Sequence, residues 1–92
     1  MTLPTIHLNG TSPEMLRRGY EDARLAVSAA MQALSRIEFN ARDYYVQGPA
    51  AWRVADDEMQ ARYVALEKVG DELARIENHV KDAIDAWEAQ KR

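Results

Sequence analysis

The sequence predicts an all-α protein, a long antiparallel helical hairpin with a short extended N-terminal segment, assembled as a homo-oligomer. Two observations predict the hairpin. Apolar residues recur at alternating spacings of three and four along two long stretches, and a ten-residue polar segment rich in turn-forming residues separates them. The 92 residues suffice for a single domain, residues 1–92, and include no cysteine for a disulfide or a thiolate metal site.

The first part of the chain is predicted to form an extended arm over residues 1–11 and a helix over residues 12–39. A proline and a glycine disfavour a helix in the arm. Ser12, Pro13 and Glu14 are residue types that cap a helix, fit its first turn and complement its dipole. The apolar seam of this helix is Leu16, Tyr20, Ala23, Val27, Ala30, Leu34 and Ile37, with Ala26, Ala29 and Ala33 as a second, smooth strip beside it.

The second helix is predicted over residues 49–91, after a loop over residues 40–48. Its apolar residues recur every seven positions, which is typical of helices that pack along one another. The seam comprises Trp52, Met59, Leu66, Leu73, Val80 and Trp87, with Ala55, Val69, Ile76 and Ala83 as companions. Gly70 weakens the helix by about 1 kcal/mol relative to Ala, and it is a candidate site for a bend.

The unequal lengths of the two helices favour self-assembly. At about 1.5 Å per residue the helices differ by on the order of 20 Å, so the turns from Asn78 to Trp87 would lack a partner helix. We therefore expect the second helix either to bend back near Gly70 or to pack against another subunit, because its apolar stripe continues. A two-helix hairpin also encloses almost no core, which again favours a homo-oligomer.

The loop is the main candidate for a binding site, since it carries more stacking and hydrogen-bonding groups than a helix connection requires. In the binding interpretation, Arg42 pairs with a phosphate and Tyr44 or Tyr45 stacks on a base. The other polar members of this candidate site are Asn40, Asp43 and Gln47. In the structural alternative, the tyrosines cap the open end of the helix pair, and Arg42 and Asp43 form a local ion pair.

The start of the first helix is a second candidate site. Arg17, Tyr20 and Arg24 lie on related faces near a helix N-terminus, which attracts anions. Two subunits that bring these ends together would form a basic pocket lined by an aromatic ring. The alternative is a solvated charged face with Tyr20 in the apolar seam.

The sequence opposes several other classes of function. No catalytic or phosphate-loop motif is present, and we expect a non-enzymatic protein without a cofactor. No metal site is expected, because Ile76 stands where carboxylate-bridged bundles place a Glu, three residues before His79. A net charge of −3 with mixed signs disfavours duplex nucleic acid as a partner. The absence of a membrane-spanning run or a signal-peptide pattern predicts a cytoplasmic protein with no membrane partner.

Residues 5–12 and residues 40–48 resemble segments of small uncharacterised proteins of tailed phages and prophages, in which an Asn-x-Arg-Asp-Tyr-Tyr-x-Gln-Gly loop joins two helices. The resemblance covers most of the chain and implies a phage accessory protein in the cytoplasm of a bacterial host. More loosely, the size and architecture resemble phage anti-CBASS sponges, which are helical oligomers that sequester cyclic oligonucleotides without cleaving them. The resemblance thus implies an anti-defence protein that binds such a signal between subunits. The alternative is a protein-interaction module, either an inhibitor of a host protein complex or a structural phage component.

Overall fold

A computed structural model describes residues 1–91 and shows two antiparallel helices joined by a folded loop. Helix α1 is Pro13–Ser35 and helix α2 is Ala51–Gln90. Two short 3-10 turns, Ala41–Asp43 and Tyr45–Gln47, lie between the helices. The described part of the chain has no strand, so the prediction of an all-α helical hairpin is confirmed.

Helix α1 starts where its capping residues predict and ends earlier than its apolar pattern suggests. Ser12 occupies the N-cap position, although its side chain makes no capping hydrogen bond. At the other end, the Arg36 N–H donates to the carbonyl of Ala33 at 3.1 Å, and the Ser35 hydroxyl donates to a backbone carbonyl of the last turn. These bonds tighten the last turn, and the helix stops at Ser35 rather than at residue 39. The connection is therefore longer than predicted and spans residues 36–50.

Helix α2 is continuous through Gly70. Its 40 residues correspond to about 60 Å of helix, and the longest dimension of the hairpin is 67 Å. Gly70 does not interrupt the helix. A Cβ built on it would lie 3.5 Å from the Cγ1 atom of Val27, so this residue sits at the contact between the helices. That distance is an ordinary van der Waals contact, so an alanine would fit here, and the expected bend back is not observed.

The register of the hairpin explains how most of α2 is covered. Arg24 faces Glu77 and Val27 faces Gly70, so α1 lies against the second half of α2. The longer connection folds back over the first turns of α2, where it reaches Trp52. Val80, which was expected to lack a partner, is 0% exposed. The predicted uncovered stripe is therefore wrong for Val80, while Trp87 farther along remains exposed.

The N-terminal arm covers part of the helix end as well. Nε2 of His79 lies 2.8 Å from the carbonyl oxygen of Pro4, a hydrogen bond between residues 75 positions apart in the chain. Ile6 in the arm is half-buried, and a turn follows in which Gly10 N–H donates to the His7 carbonyl. The arm therefore lies on the helices of its own chain.

The enclosed core is small, and its positions depart from a strict seven-residue repeat. Within residues 1–91, the buried apolar residues are Ala55, Met59 and Val80. Ala30 and Val69 were predicted to lie in the seams but are exposed, and Met31 and Gly70 take the inward positions instead. A straight helix has 3.6 residues per turn, so a seven-residue seam drifts by about 20° per repeat and the inward position moves by one residue. No helix in this part of the chain is both long and apolar enough to cross a membrane.

Candidate functional site

The loop has a defined backbone built from two consecutive 3-10 turns. Oδ1 of Asn40 accepts a hydrogen bond from the Arg42 N–H at 3.0 Å, which caps the first turn. The Tyr44 N–H donates to the Ala41 carbonyl, and the Gln47 N–H donates to the Tyr44 carbonyl at 2.9 Å. Most of the turn-forming backbone groups are thus bonded within the loop, and this supports a single conformation.

Three aromatic rings attach the loop to the start of α2. The ring centroids of Phe39 and Trp52 are 4.8 Å apart, and the Tyr44 centroid lies 5.6 Å from that of Phe39 and 5.9 Å from that of Trp52. These separations and the tilted or edge-on orientations are those of favourable aromatic pairs. Tyr44 is consequently part of the packing between the loop and the helix, and it is half-buried.

Gly48 ends the loop in a conformation that other residues avoid. Its φ is 126° and its ψ is 161°, a region that is essentially restricted to glycine. No neighbouring atom lies within 4 Å of the position of a Cβ, so the constraint is in the backbone and not in crowding. The chain needs this residue to pass from the second turn into α2.

Replacing Gly48 by alanine is expected to destabilise the protein by about 1–3 kcal/mol, because this backbone conformation is strained for a residue with a Cβ atom. Urea unfolding monitored by circular dichroism measures the change. Gly70→Ala is the matched control, since this glycine is helical and an added Cβ would lie 3.5 Å from Cγ1 of Val27, an ordinary van der Waals distance. Alanine should stabilise the helix there by up to about 1 kcal/mol. Equal effects of the two substitutions would contradict the assignment of strain to Gly48.

The remaining polar groups of the candidate site point away from the packed side of the loop. Arg42, Asp43, Tyr45 and Gln47 are exposed, and Tyr45 retains 64% of its accessible surface. The Arg42–Asp43 ion pair of the structural alternative is not among the ion pairs of residues 1–91. The loop therefore divides into residues that hold its shape, Asn40 and Tyr44, and residues that it presents to solvent.

The second candidate site is neutralised by local ion pairs. Arg17 donates to the carboxylates of Glu14 and Glu21, with Nε 2.9 Å from Oε1 of Glu14. Its hydrogen bond to Glu14 lowers the pKa of that carboxyl below the ordinary value. Arg24 donates to Glu77 on α2 at 2.6 Å, and this hydrogen bond raises the pKa of Arg24. The positive charge at this end of α1 is thus paired within the chain.

Tyr20, the aromatic member of the second candidate site, lines a shallow apolar groove and not a basic pocket. The groove has a volume of about 260 Å³ and is lined by Met15, Leu16, Gly19, Tyr20, Ala23 and Leu73. A second groove of about 370 Å³ lies on α2 and is lined by Val64, Glu67, Lys68, Asp71, Glu72 and Arg75. Both grooves are open, and neither includes a loop residue. The exposed loop groups therefore lie outside both grooves of the single chain.

No protein-family model, curated protein or solved structure matches the chain. The candidate site is therefore defined by the geometry of the loop. Phe39 and Trp52, which hold the loop, were not among the predicted site residues. A signal for them was present, because Phe39 and Trp52 flank the predicted loop over residues 40–48, which itself contains Tyr44.

Proposed function

We propose that the protein binds a nucleotide-type ligand, with cyclic oligonucleotides as the leading candidates, and sequesters it without cleaving it. The observation that carries this proposal is that some residues of the loop hold its structure while others are free to contact a ligand. Asn40 caps the first turn of the loop and Tyr44 packs the loop against α2, while Arg42 and Tyr45 are exposed at its surface. A loop that is already ordered loses little conformational entropy when it binds, which favours affinity.

The exposed groups are chemically suited to a phosphate and a base. The Arg42 guanidinium can donate two parallel hydrogen bonds to a phosphate. The exposed Tyr45 ring offers a stacking surface, and stacking on an aromatic side chain contributes about 1–3 kcal/mol per base. The Gln47 amide can both donate to and accept from the edge of a base. Tyr44 is excluded from the stacking role in this proposal, since its ring packs on Phe39 and Trp52.

Assembly is part of the proposal, because the loop surface of one chain does not enclose a ligand. Small-molecule sites usually bury about 70–90% of the ligand surface. A second subunit that packs beside the loop would supply the missing wall, and a homo-oligomer would supply it in every copy. In the phage setting that the resemblance implies, the assembled protein would remove an immune signal from the cytoplasm of the infected bacterium.

Substitution of either exposed loop residue is expected to weaken ligand binding without changing stability. Arg42→Ala should lower the affinity by about 10–100-fold, because a hydrogen bond to a charged group contributes about 1.5–3 kcal/mol. Tyr45→Ala should lower it by about 5–100-fold through loss of stacking. Calorimetric titration with a panel of cyclic dinucleotides and trinucleotides gives the affinities. Urea unfolding of the same variants should give unchanged midpoints.

The matched control for Arg42→Ala is Arg75→Ala, which removes an exposed arginine far from the loop. Its affinity should equal that of the wild type. Analysis of the recovered ligand by chromatography should show it intact, as expected of sequestration. Absence of binding to every member of the panel at high micromolar protein would refute the proposed function.

A protein-interaction module is the second candidate, and the exposed apolar side chains of the hairpin favour it. Leu8 in the arm, Val54 near the start of α2 and Trp87 near its end all remain exposed, and the Lys91 ammonium lies 3.6 Å from the Trp87 ring centroid. Aromatic and apolar groups of this kind are frequent in protein interfaces. A stoichiometric complex with one host protein, together with no ligand binding, would favour this function over the first.

A further inference from the structure

We infer that one face of helix α1 pairs with the same face of a second copy of this chain, antiparallel about a two-fold axis that passes beside Ala26. The inference rests on the self-association in the proposed function and names the surface that provides it. The surface, termed the α1 strip, is Met15, Gly19, Ala26 and Ala33, with Ile37 directly after the helix.

The α1 strip is a largely apolar surface that the single chain leaves uncovered, and the exposed Asp22 lies at its edge between Gly19 and Ala26. At 100° per residue, its members project within about 40° of one another around the helix axis. All of its members are exposed, with 68% exposure for Met15 and 52% for Ile37. Ala30 lies beside the strip and is exposed too. A soluble surface rarely leaves such a stripe uncovered along a whole helix.

The spacing of the α1 strip is symmetric, and this symmetry identifies the partner. Its members lie at −11, −7, 0, +7 and +11 residues from Ala26. An antiparallel copy related by a two-fold axis therefore brings Met15 against Ile37 and Gly19 against Ala33, while Ala26 meets its own counterpart. Small residues at the centre allow the two helix backbones to approach closely, and large residues at the ends pack around them.

The apolar side of the hairpin extends from the α1 strip onto α2. The 260 Å³ groove described above is lined by Met15 and Gly19 of the strip and by Leu73 of α2. Val69 lies one turn before Leu73 and is also exposed. The opposite side of α1 is charged, and it carries the ion pairs of Arg17 with Glu14 and Glu21. Apart from Asp22 at its edge, the side of the hairpin formed by the α1 strip, Leu73 and Val69 is apolar, as expected of a side that a partner covers.

The exposed area of the chain is sufficient for such an interface. A compact monomer of 10.5 kDa is expected to expose about 5,400 Å², whereas this chain exposes 7126 Å². The excess is roughly twice the 800 Å² or so that one partner contributes to an interface of standard size. The excess belongs to the elongated shape of the hairpin, 67 × 22 × 19 Å, and a partner along its length would cover part of it.

The antiparallel arrangement also brings the candidate ligand site next to a second chain. The symmetry that pairs residue 15 with residue 37 places the loop of one copy beside the arm and the start of α1 of the other copy. That neighbour is positioned to provide the wall that the loop lacks in the single chain. The interface and the site are thus linked by geometry, although each can be tested separately.

Cysteine cross-linking tests this interface directly, because the chain has no cysteine of its own. Ala26→Cys should form an intermolecular disulfide on mild oxidation, since the two-fold axis places this residue opposite its counterpart within disulfide reach. Gln32→Cys is the control, because this exposed residue lies on the other side of α1. It should remain a single chain on a non-reducing gel under the same conditions.

A charge at the same position should dissociate the copies. Ala26→Glu places two carboxylates opposite each other and should lower the mass measured by light scattering, while Gln32→Glu should keep the wild-type mass. Because Ala26 is exposed in the hairpin, both variants should retain the far-ultraviolet circular dichroism of a folded helix. A monomeric wild type at high micromolar concentration would overturn the inference. An Ala26→Glu variant with the wild-type mass and no cross-link from Ala26→Cys would overturn it as well.

These outcomes are distinguishable from a failure of the proposed function. A chain that self-associates through Ala26 but binds no cyclic nucleotide refutes the ligand proposal and leaves the interface standing. A chain that binds a cyclic nucleotide and whose mass is unaffected by Ala26→Glu refutes this interface and leaves ligand binding standing.

Discussion

Replacing Val80 by aspartate is expected to unfold the protein at ordinary temperature. Val80 is 0% exposed and follows His79, whose ring bonds the carbonyl of Pro4 in the arm. An aspartate carboxylate at this position would be removed from water without a charged or hydrogen-bonding partner, at a cost of several kcal/mol. Small domains have total stabilities of only about 5–15 kcal/mol, and within residues 1–91 the other buried side chains are Ala55 and Met59. Circular dichroism during urea unfolding measures the effect.

Val64→Asp is the matched control for this prediction. It makes the same chemical change on the same helix, but Val64 is 65% exposed. A surface substitution of this kind usually changes stability by no more than about 0.5 kcal/mol. If Val80→Asp unfolded at the same urea concentration as Val64→Asp, the packing of the arm and α1 over the end of α2 would be contradicted.

Replacing Trp52 by alanine is expected to destabilise the fold by about 3 kcal/mol and to release the loop from α2. The indole is the common partner of Phe39 and Tyr44, so its loss removes both of their contacts with the helix. Near-ultraviolet circular dichroism should lose the signal of the ordered rings. Ligand binding should weaken too, because Arg42 and Tyr45, the exposed loop residues proposed to contact the ligand, would no longer be held in one arrangement.

Trp87→Ala provides the comparison with Trp52→Ala. This second tryptophan is 56% exposed near the end of α2 and makes no aromatic pair within residues 1–91. Its replacement should lower stability much less than Trp52→Ala and should leave the loop in place. Similar losses for the two tryptophans would show that the aromatic cluster does not organise the loop.

The hairpin was predictable because two long periodic stretches separated by a polar segment have few other soluble arrangements. The inward positions were less predictable. A strict seven-residue repeat predicts that Ala30 and Val69 face inward. In the structure both are exposed, and the neighbouring residues Met31 and Gly70 face inward instead. A seven-residue repeat stays inward only when the two helices supercoil, and without a supercoil the 3.6-residue period moves the inward position by one residue.

The adjacent tyrosines illustrate the limit of local sequence reasoning about the site. Tyr44 and Tyr45 are chemically identical, and the sequence alone does not distinguish a packed ring from a presented one. The difference comes from Trp52, which lies eight residues after Tyr44 and is brought to it by the two turns of the loop. The hydrogen bond between Pro4 and His79 was equally unpredictable from the sequence, since it joins residues near opposite ends of the chain.

The ion pairs that neutralise the charge of Arg17 were predictable from the sequence, although they were not predicted. Glu14 lies three residues before it and Glu21 four residues after it, and both spacings place opposite charges side by side on a helix. Arg24 is different, because Glu77 is 53 residues away and the antiparallel register alone brings it near. Ion pairs between helices require the fold, whereas those within a helix do not.

Native mass spectrometry of the purified protein with added cyclic oligonucleotides tests the central claim most directly, because one spectrum reports the number of chains and the bound ligand together. The expected spectrum contains an oligomer with an even number of chains that carries intact cyclic oligonucleotide. The same oligomer should form without added ligand from Arg42→Ala and Tyr45→Ala protein, and should carry less ligand when it is added. A single chain without ligand at every protein concentration and with every nucleotide tested would contradict both self-association and ligand capture.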